Sequence, residues 1–191
     1  TMKDPALNNS DVLIFAETWH LSSESFTHLN EHFTHVAGIT NNISQRRPNG
    51  ILVFVRKPTD FELINSIQAF NDKGTLQCII FKYGLTVICA YYLSPQIPLK
   101  DKINFIKNTQ RSLKNETNVL FIGDFNCDIK NSNNRRQANN LFLSTGCRLR
   151  TPNTYSTQAK TLIDWAYGNF PTISSHYYES MISFHKPIVI E

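Results

Sequence analysis

Apolar residues along this chain gather into short, mostly continuous runs. Asp11-Val-Leu-Ile-Phe-Ala-Glu17 is an unbroken apolar stretch ending in a carboxylate, the pattern of a strand buried on both faces. Ile51 to Val55 and Asn118 to Gly123 have the same character. Cys78 to Phe81 with Leu85 to Tyr92 predicts a hairpin turning at Tyr83-Gly84, and Thr161 to Tyr167 and Pro187 to Ile190 supply the last strands. Two stretches carry helical spacing. Phe26, Leu29 and Phe33 predict a helix over about Ser23 to Phe33. Leu99, Ile103, Ile106 and Leu113 put one apolar face on a second, with Lys102, Lys107, Arg111 and Lys114 elsewhere around it. A short helix is expected over Arg136 to Ser144, stopped by Gly146. Thr40 to Asn49 is polar and closed by Pro48-Asn49-Gly50, which reads as a surface loop.

Strands and helices intermingle without a linker, a repeat or a low-complexity tract. The expected architecture is one α/β domain over residues 1–191, with two sheets packed face to face and helices outside. Such a length buries about 70% of the unfolded surface. Hydrophobic residues at 41% and charged residues at 18% exclude a disordered chain. The longest apolar runs are strand-length, so no membrane partner is expected. No basic-then-apolar leader opens the sequence, and Cys78, Cys89, Cys127 and Cys147 lack CxxC spacing. Three of the four, Cys78, Cys89 and Cys127, lie in or beside apolar runs, which suits buried reduced thiols in an intracellular setting. A net charge of +4 permits a polyanionic partner without requiring one.

The most specific chemical signal is Val119-Leu-Phe-Ile-Gly-Asp124-Phe-Asn126. Strand side chains alternate, so Asp124 and Asn126 share a face at the strand's C-terminal end, where Gly123 lets the backbone approach a ligand or bend. A carboxylate there can take a proton from water or hold a cation, and the amide can orient a phosphate oxygen. The same residues also describe a strand leaving the core through a polar turn. Glu17 is a second strand-end carboxylate and suits a hard cation; a solvated strand end reads identically. Asp164 sits within Leu162-Ile-Asp-Trp-Ala, where burial demands a partner. His185 downstream is the natural one, since an Asp–His pair orients the imidazole and raises its pKa. Tyr92 ends the hairpin strand before a proline turn and could donate to a phosphate, or be a half-buried aromatic. His28, His32 and His35 have helical spacing but no fourth zinc ligand, and no P-loop or Gly-rich dinucleotide motif occurs.

Taken in order, Glu17-Thr-Trp, Tyr92-Leu-Ser-Pro95, Gly123-Asp-Phe-Asn126, Thr161-Leu-Ile-Asp164 and Ser183-Phe-His185-Lys-Pro-Ile resemble the motifs of the endonuclease/exonuclease/phosphatase superfamily. The Glu-Thr-Trp and Tyr-x-x-Pro details are similar to the endonuclease domains of non-LTR retrotransposons and their apurinic-endonuclease relatives. The resemblance implies a four-layered α/β sandwich, with two mostly antiparallel sheets and the site at one edge of them. It implies in-line hydrolysis of DNA without a covalent enzyme intermediate, Glu17 holding Mg²⁺ or Mn²⁺. Asp124 would orient or deprotonate water, Asn126 and Tyr92 would bind phosphate oxygens, and His185, oriented by Asp164, would stabilise the developing charge. Arg46, Arg47, Arg135 and Arg136 are the residues expected to meet backbone phosphates, if they are more than solvated surface charge. Such a protein would act in the nucleus, with further domains of a mobile-element polyprotein as possible neighbours.

The chain departs from the resemblance twice. The superfamily's first strand, which carries an Asn, belongs well upstream of the glutamate, yet only sixteen residues precede Glu17 and Met2 to Asp11 does not read as that strand. A fragment, or a protein that has lost the element, is expected, with an uncovered sheet edge. Phe184 also stands where an Asp usually precedes the His. Two other functions therefore stand beside the nuclease. One is a degenerate module that grips DNA or protein without cutting, and the other a phosphatase of small or lipid phosphoesters.

Overall fold

In a computed structural model the apolar runs become strands; of the predicted surface loop Thr40 to Asn49, residues 41–48 lie outside the described residues. The structure describes residues 9–19, 21–40, 49–113, 116–171, 174–178 and 183–191. In chain order the elements are β1 (Val12–Ala16), β2 (Phe33–Ile39), β3 (Ile51–Arg56), β4 (Phe61–Asn71), β5 (Gly74–Tyr83), β6 (Thr86–Leu93), α1 (Leu99–Gln110), β7 (Val119–Asp124), α2 (Ser132–Leu143), β8 (Arg148–Leu149), β9 (Asp164–Gly168), β10 (Ser175–Tyr177) and β11 (Ile188–Ile190). A six-stranded sheet runs β4-β5-β6-β7-β9-β8, a three-stranded sheet runs β1-β3-β2, and β10 pairs with β11. All pairings are antiparallel except β6 with β7, which α1 connects. Among the described residues β1 pairs with β3 alone, so its other edge is open. No helix among them is long and apolar enough to cross a membrane.

Alternation along the strands sorts the core into layers. One face of the six-stranded sheet, with Cys78, Ile80, Tyr91, Phe121, Trp165 and Tyr167, packs under Phe105 and Ile106 of α1 and Leu141 and Phe142 of α2. The opposite face, with Ile79, Phe81, Ala90, Ile122 and Ala166, meets Ile51, Val53 and Val55 of the three-stranded sheet. Beyond that sheet Leu13, Phe33 and Phe54 are covered by Phe26 and Leu29. The two sheets lie face to face with helices outside, as the sequence predicts. All four cysteines are free and buried.

The predicted helix over Ser23 to Phe33 is not formed as one. A 3-10 helix covers Ser23–Leu29, with non-helical dihedrals at Phe26, and Phe33 already opens β2. Pairing with β3 and burial of Phe33, Ala37 and Ile39 win over a weak helical period. His28 and His32 therefore precede a strand that carries His35, and the three share no helical face. β4 has no counterpart among the predicted elements, because most of its residues are exposed along an edge and leave no apolar pattern. The helix placed at Arg136 starts at Ser132, capped by Asn131, whose Oδ1 accepts from Asn133 N and Asn134 N at 3.0 and 3.1 Å. Lys102, expected away from the apolar face of α1, is only 2% exposed.

Gly123 is required where β7 passes between β6 and β9. Its φ is 148°, and a Cβ there would lie 2.1 Å from the backbone oxygen of Tyr91. Gly123→Ala is expected to lower stability by more than about 1 kcal/mol in denaturant melts. A variant as stable as the parent would show that the two strands can separate without cost.

Candidate active site

Pairing register places the candidate residues in one row. Tyr92 of β6 stands opposite Asp124 of β7, and Asp124 stands opposite Asp164 of β9. Cross-strand partners share a face, and this face is the one turned toward the three-stranded sheet. Two residues inward, the corresponding row is Ala90, Ile122 and Ala166, all apolar. The inter-sheet face is therefore hydrocarbon until its last row, which is polar.

Residues from outside the sheet close on both ends of that row. Glu17 follows β1 and comes across from the other sheet, and its Oε1 accepts from Tyr92 OH at 3.0 Å. Its φ of 54° marks a sharp exit from the strand. At the other end His185 Nδ1 lies 2.8 and 3.0 Å from the two carboxylate oxygens of Asp164. A backbone bridge between Thr157 and His185 holds the histidine there. Asp164 is fixed in turn by its own N–H, which donates to Ser156 Oγ at 3.1 Å. In the centre Asn126, with φ of 45°, folds back so that its N–H and Nδ2 donate to the two oxygens of Asp124 at 2.9 and 2.8 Å. Ligand atoms of Asp124, Asp164 and His185 lie within 4.8 Å of one another.

The electrostatics follow from crowding carboxylates at the end of an apolar layer. Burial, and then the nearby Asp164 charge, push Asp124 up to about 8. The Asp164 hydrogen bond holds the His185 imidazolium up to about 9, against the opposing effect of burial. Burial and the Glu17 carboxylate keep the Tyr92 phenol well above its ordinary range, so it remains a donor. Without a cation, all three groups are pushed toward their protonated forms.

Sequence reasoning missed Lys102. From α1 its Nζ donates to the carbonyls of Phe125 and Asn126 at 3.0 and 2.7 Å, and burial lowers it to about 8. The ammonium pins the turn that brings Asn126 onto Asp124, while Phe125 stacks on Trp165 at 3.9 Å beneath. Its place on a helix with other lysines gave no hint of burial. The expected phosphate-contacting arginines divide. Arg135 is tied to Ile129 O and Asn153 Oδ1 at 3.0 and 2.8 Å, and Arg136 is exposed with a bond to Asn133. Arg46 and Arg47 lie outside the described residues. Phe184 is 60% exposed and adds no ligand atom to the cluster.

Two measurements check this geometry. In an NMR titration of the metal-free chain, His185 is expected to titrate near 9, and Asp164→Asn to move it down toward 6.5. Because the folded value is the higher one, the pair's stabilisation is complete below pH 6.5 and fades as pH rises through about 9. An unchanged titration in the variant would dissociate the pair. Lys102→Met leaves one buried and one part-buried carbonyl without their donor and is expected to cost about 1–3 kcal/mol in chemical denaturation. A neutral result would mean that the turn holds itself.

The sequence matches the Endonuclease/Exonuclease/phosphatase family over residues 3–181. No curated protein matches it significantly. Among solved structures, the human Nocturnin catalytic domain with bound sulfate has a TM-score of 0.68 at 12% identity, covering 97% of this chain and 83% of that one. A mannosyl-6-phosphatase from Bacteroides thetaiotaomicron has 0.66 at 13%, covering 97% and 86%. A 3'-5' exonuclease from Neisseria meningitidis has 0.65 at 16%, covering 96% and 90%. At these identities the superpositions establish the fold, and the match over most of the sequence establishes kinship: the chain belongs to the Endonuclease/Exonuclease/phosphatase family.

Proposed function

We propose that the chain is a divalent-metal-dependent phosphodiesterase that nicks DNA, in the manner of a retroelement endonuclease. The observation that carries the reading is the row itself. A phenol, a carboxyl–amide pair and an Asp–His pair meet at the rim of one buried face, with Glu17 across from them. Burial and the Asp164 charge, with a smaller contribution from Glu17, hold Asp124 near 8, an imbalance that a hard cation would relieve. Asp124, Asp164 and His185 bring ligand atoms within 4.8 Å of one another, and Glu17, whose charge reaches Asp124, would hold such an ion at their edge. Bound there, Mg²⁺ or Mn²⁺ would supply polarisation of the phosphoryl group and neutralise charge at the leaving oxygen.

The chain's own residues do the rest. Asp124, once ionised, takes the proton of the attacking water, and Asn126 keeps the carboxylate oriented for that task. His185 presents an imidazolium fixed through Nδ1 by Asp164, so that Nε2–H meets the negative charge building on phosphorus-bound oxygen. Tyr92, held in the phenol form, would turn its one O–H from Glu17 to donate to the same group. Phosphate contacts by Arg136 and by Lys130, which lies over the Tyr155 ring at 4.4 Å, would give DNA binding a steep salt dependence.

Supercoiled plasmid with Mg²⁺ or Mn²⁺ is the direct assay. Nicking is expected to fall by about 10²–10⁴ in Asp124→Ala and in His185→Ala. A folded chain that binds DNA but nicks nothing would make it the degenerate binding module, with Phe184 as the first suspect. Hydrolysis of a small phosphomonoester with plasmid left intact would make it a phosphatase.

A further inference from the structure

The row that carries Tyr92, Asp124 and Asp164 has a fourth member. Gln77 of β5 pairs with Tyr92, is 0% exposed, and by alternation lies on the inter-sheet face with Ile79 and Phe81. Its Oε1 accepts from Gly50 N at 2.8 Å. That bond fixes the amide, so the atom left over, Nε2, is a donor, and it has no partner among the described residues. Two more side chains in the same state stand around Gly50. Asn49 is 0% exposed with neither amide atom bonded, although its backbone carbonyl accepts from Trp19 N at 2.6 Å. Thr18 Oγ1 also lacks a partner, and a Cβ on Gly50 would fall 2.4 Å from it. Thr18 follows Glu17, and Gln77 neighbours the tyrosine that bonds Glu17. The cluster thus adjoins the active centre through both residues.

Buried polar groups are nearly always bonded, and the neighbouring residues of the row all are. Three side chains left without a partner near one glycine, in residues no more than 5% exposed, need a small partner reaching them at the Glu17 end of the row, either a water or a ligand oxygen. Gln77 Nε2, Asn49 Nδ2 and the Thr18 hydroxyl make three donors, against Asn49 Oδ1 as the one obligate acceptor. A donor excess suits the oxygens of an anion. All three are neutral, so they reward alignment of that oxygen more than they attract charge.

We propose that Gln77, Asn49 and Thr18 form an oxyanion subsite that binds a phosphoryl oxygen of the substrate at the Glu17 end of the row. The identity of the ligand rests on reading the chain as a phosphodiesterase. An ordered water could satisfy the same atoms, and the test separates the two.

The probe is a phosphorothioate-linked dinucleotide in Ca²⁺, its binding followed by calorimetry and each variant's fold by melting. Gln77→Glu keeps the acceptor for Gly50 N and replaces the free donor with a carboxylate oxygen. Thr18→Val removes only a hydroxyl at nearly constant shape, and Asn49→Leu removes the amide. Affinity is expected to fall about tenfold or more in Gln77→Glu and Asn49→Leu, and by a smaller factor in Thr18→Val. The salt dependence of binding should stay unchanged in Thr18→Val, because no charge is lost. Undiminished affinity in all three variants would overturn the subsite and leave the atoms to bound water. Loss in Gln77→Glu alone would overturn it too, as simple charge repulsion. Plasmid nicking tells the two readings apart. Affinity lost in the variants of a chain that never nicks DNA keeps the subsite and removes the nuclease. Nicking with affinity undiminished does the reverse.

Discussion

Everything at this site depends on one constraint: the buried face between the two sheets is apolar for most of its length and then ends in a row of polar side chains. Ala90, Ile122 and Ala166 hold the sheets together, and one step further along the same strands stand Tyr92, Asp124 and Asp164. Strand alternation makes the step obligatory. A residue two positions beyond a core residue faces the same way and inherits the same dry surroundings. The carboxyls at that step have little water to solvate their charge, so they recruit partners: Asn126 for Asp124 and His185 for Asp164.

The remaining structure positions that row. α1 and α2 cover the opposite face of the sheet, and Lys102 reaches from α1 to the carbonyls that follow Asp124. Gly123 lets β7 lie close enough to β6 for Asp124 to stand beside Tyr92. The three-stranded sheet delivers Glu17 over the row's end. A helix, a glycine and a second sheet thus converge on the orientation of a few carboxylate and amide atoms. A site built on rigid strands in this way is held more accurately than one built on loops.

Much of this was legible in the sequence, for a physical reason. Continuous apolar runs ending in Glu17 and Asp124 announced both the strands and the carboxylates at their tips, because burial on two faces leaves no other pattern. The Asp164–His185 pair followed from the cost of an unpartnered carboxylate in an apolar stretch. β4 was invisible because an exposed edge strand needs no apolar alternation, and β2 was misread because Phe33 fits a helical period until β3 claims it. Lys102 and Gln77 were passed over for a shared reason. Their burial is set by what packs on them from distant segments, Phe125 and Asn126 in one case and Gly50 in the other. One cue existed: Gln77 is a lone amide within Leu76 to Phe81, a run otherwise apolar.

Asp124 serves the site's chemistry at the expense of the fold, and Asp124→Asn separates the two. The folded value of Asp124, about 8, lies above its ordinary 3.8, so the metal-free fold loses stability as pH rises through that interval. A neutral amide escapes that penalty. Thermal melts at about pH 9 without divalent ions, set beside turnover with Mg²⁺ or Mn²⁺, give both quantities for one substitution. The variant is expected to melt higher than the parent and to have lost nearly all phosphodiester cleavage. A variant that melts lower, or that still cleaves, would contradict it, because Asp124 would then be a support of the fold and not its chemical charge.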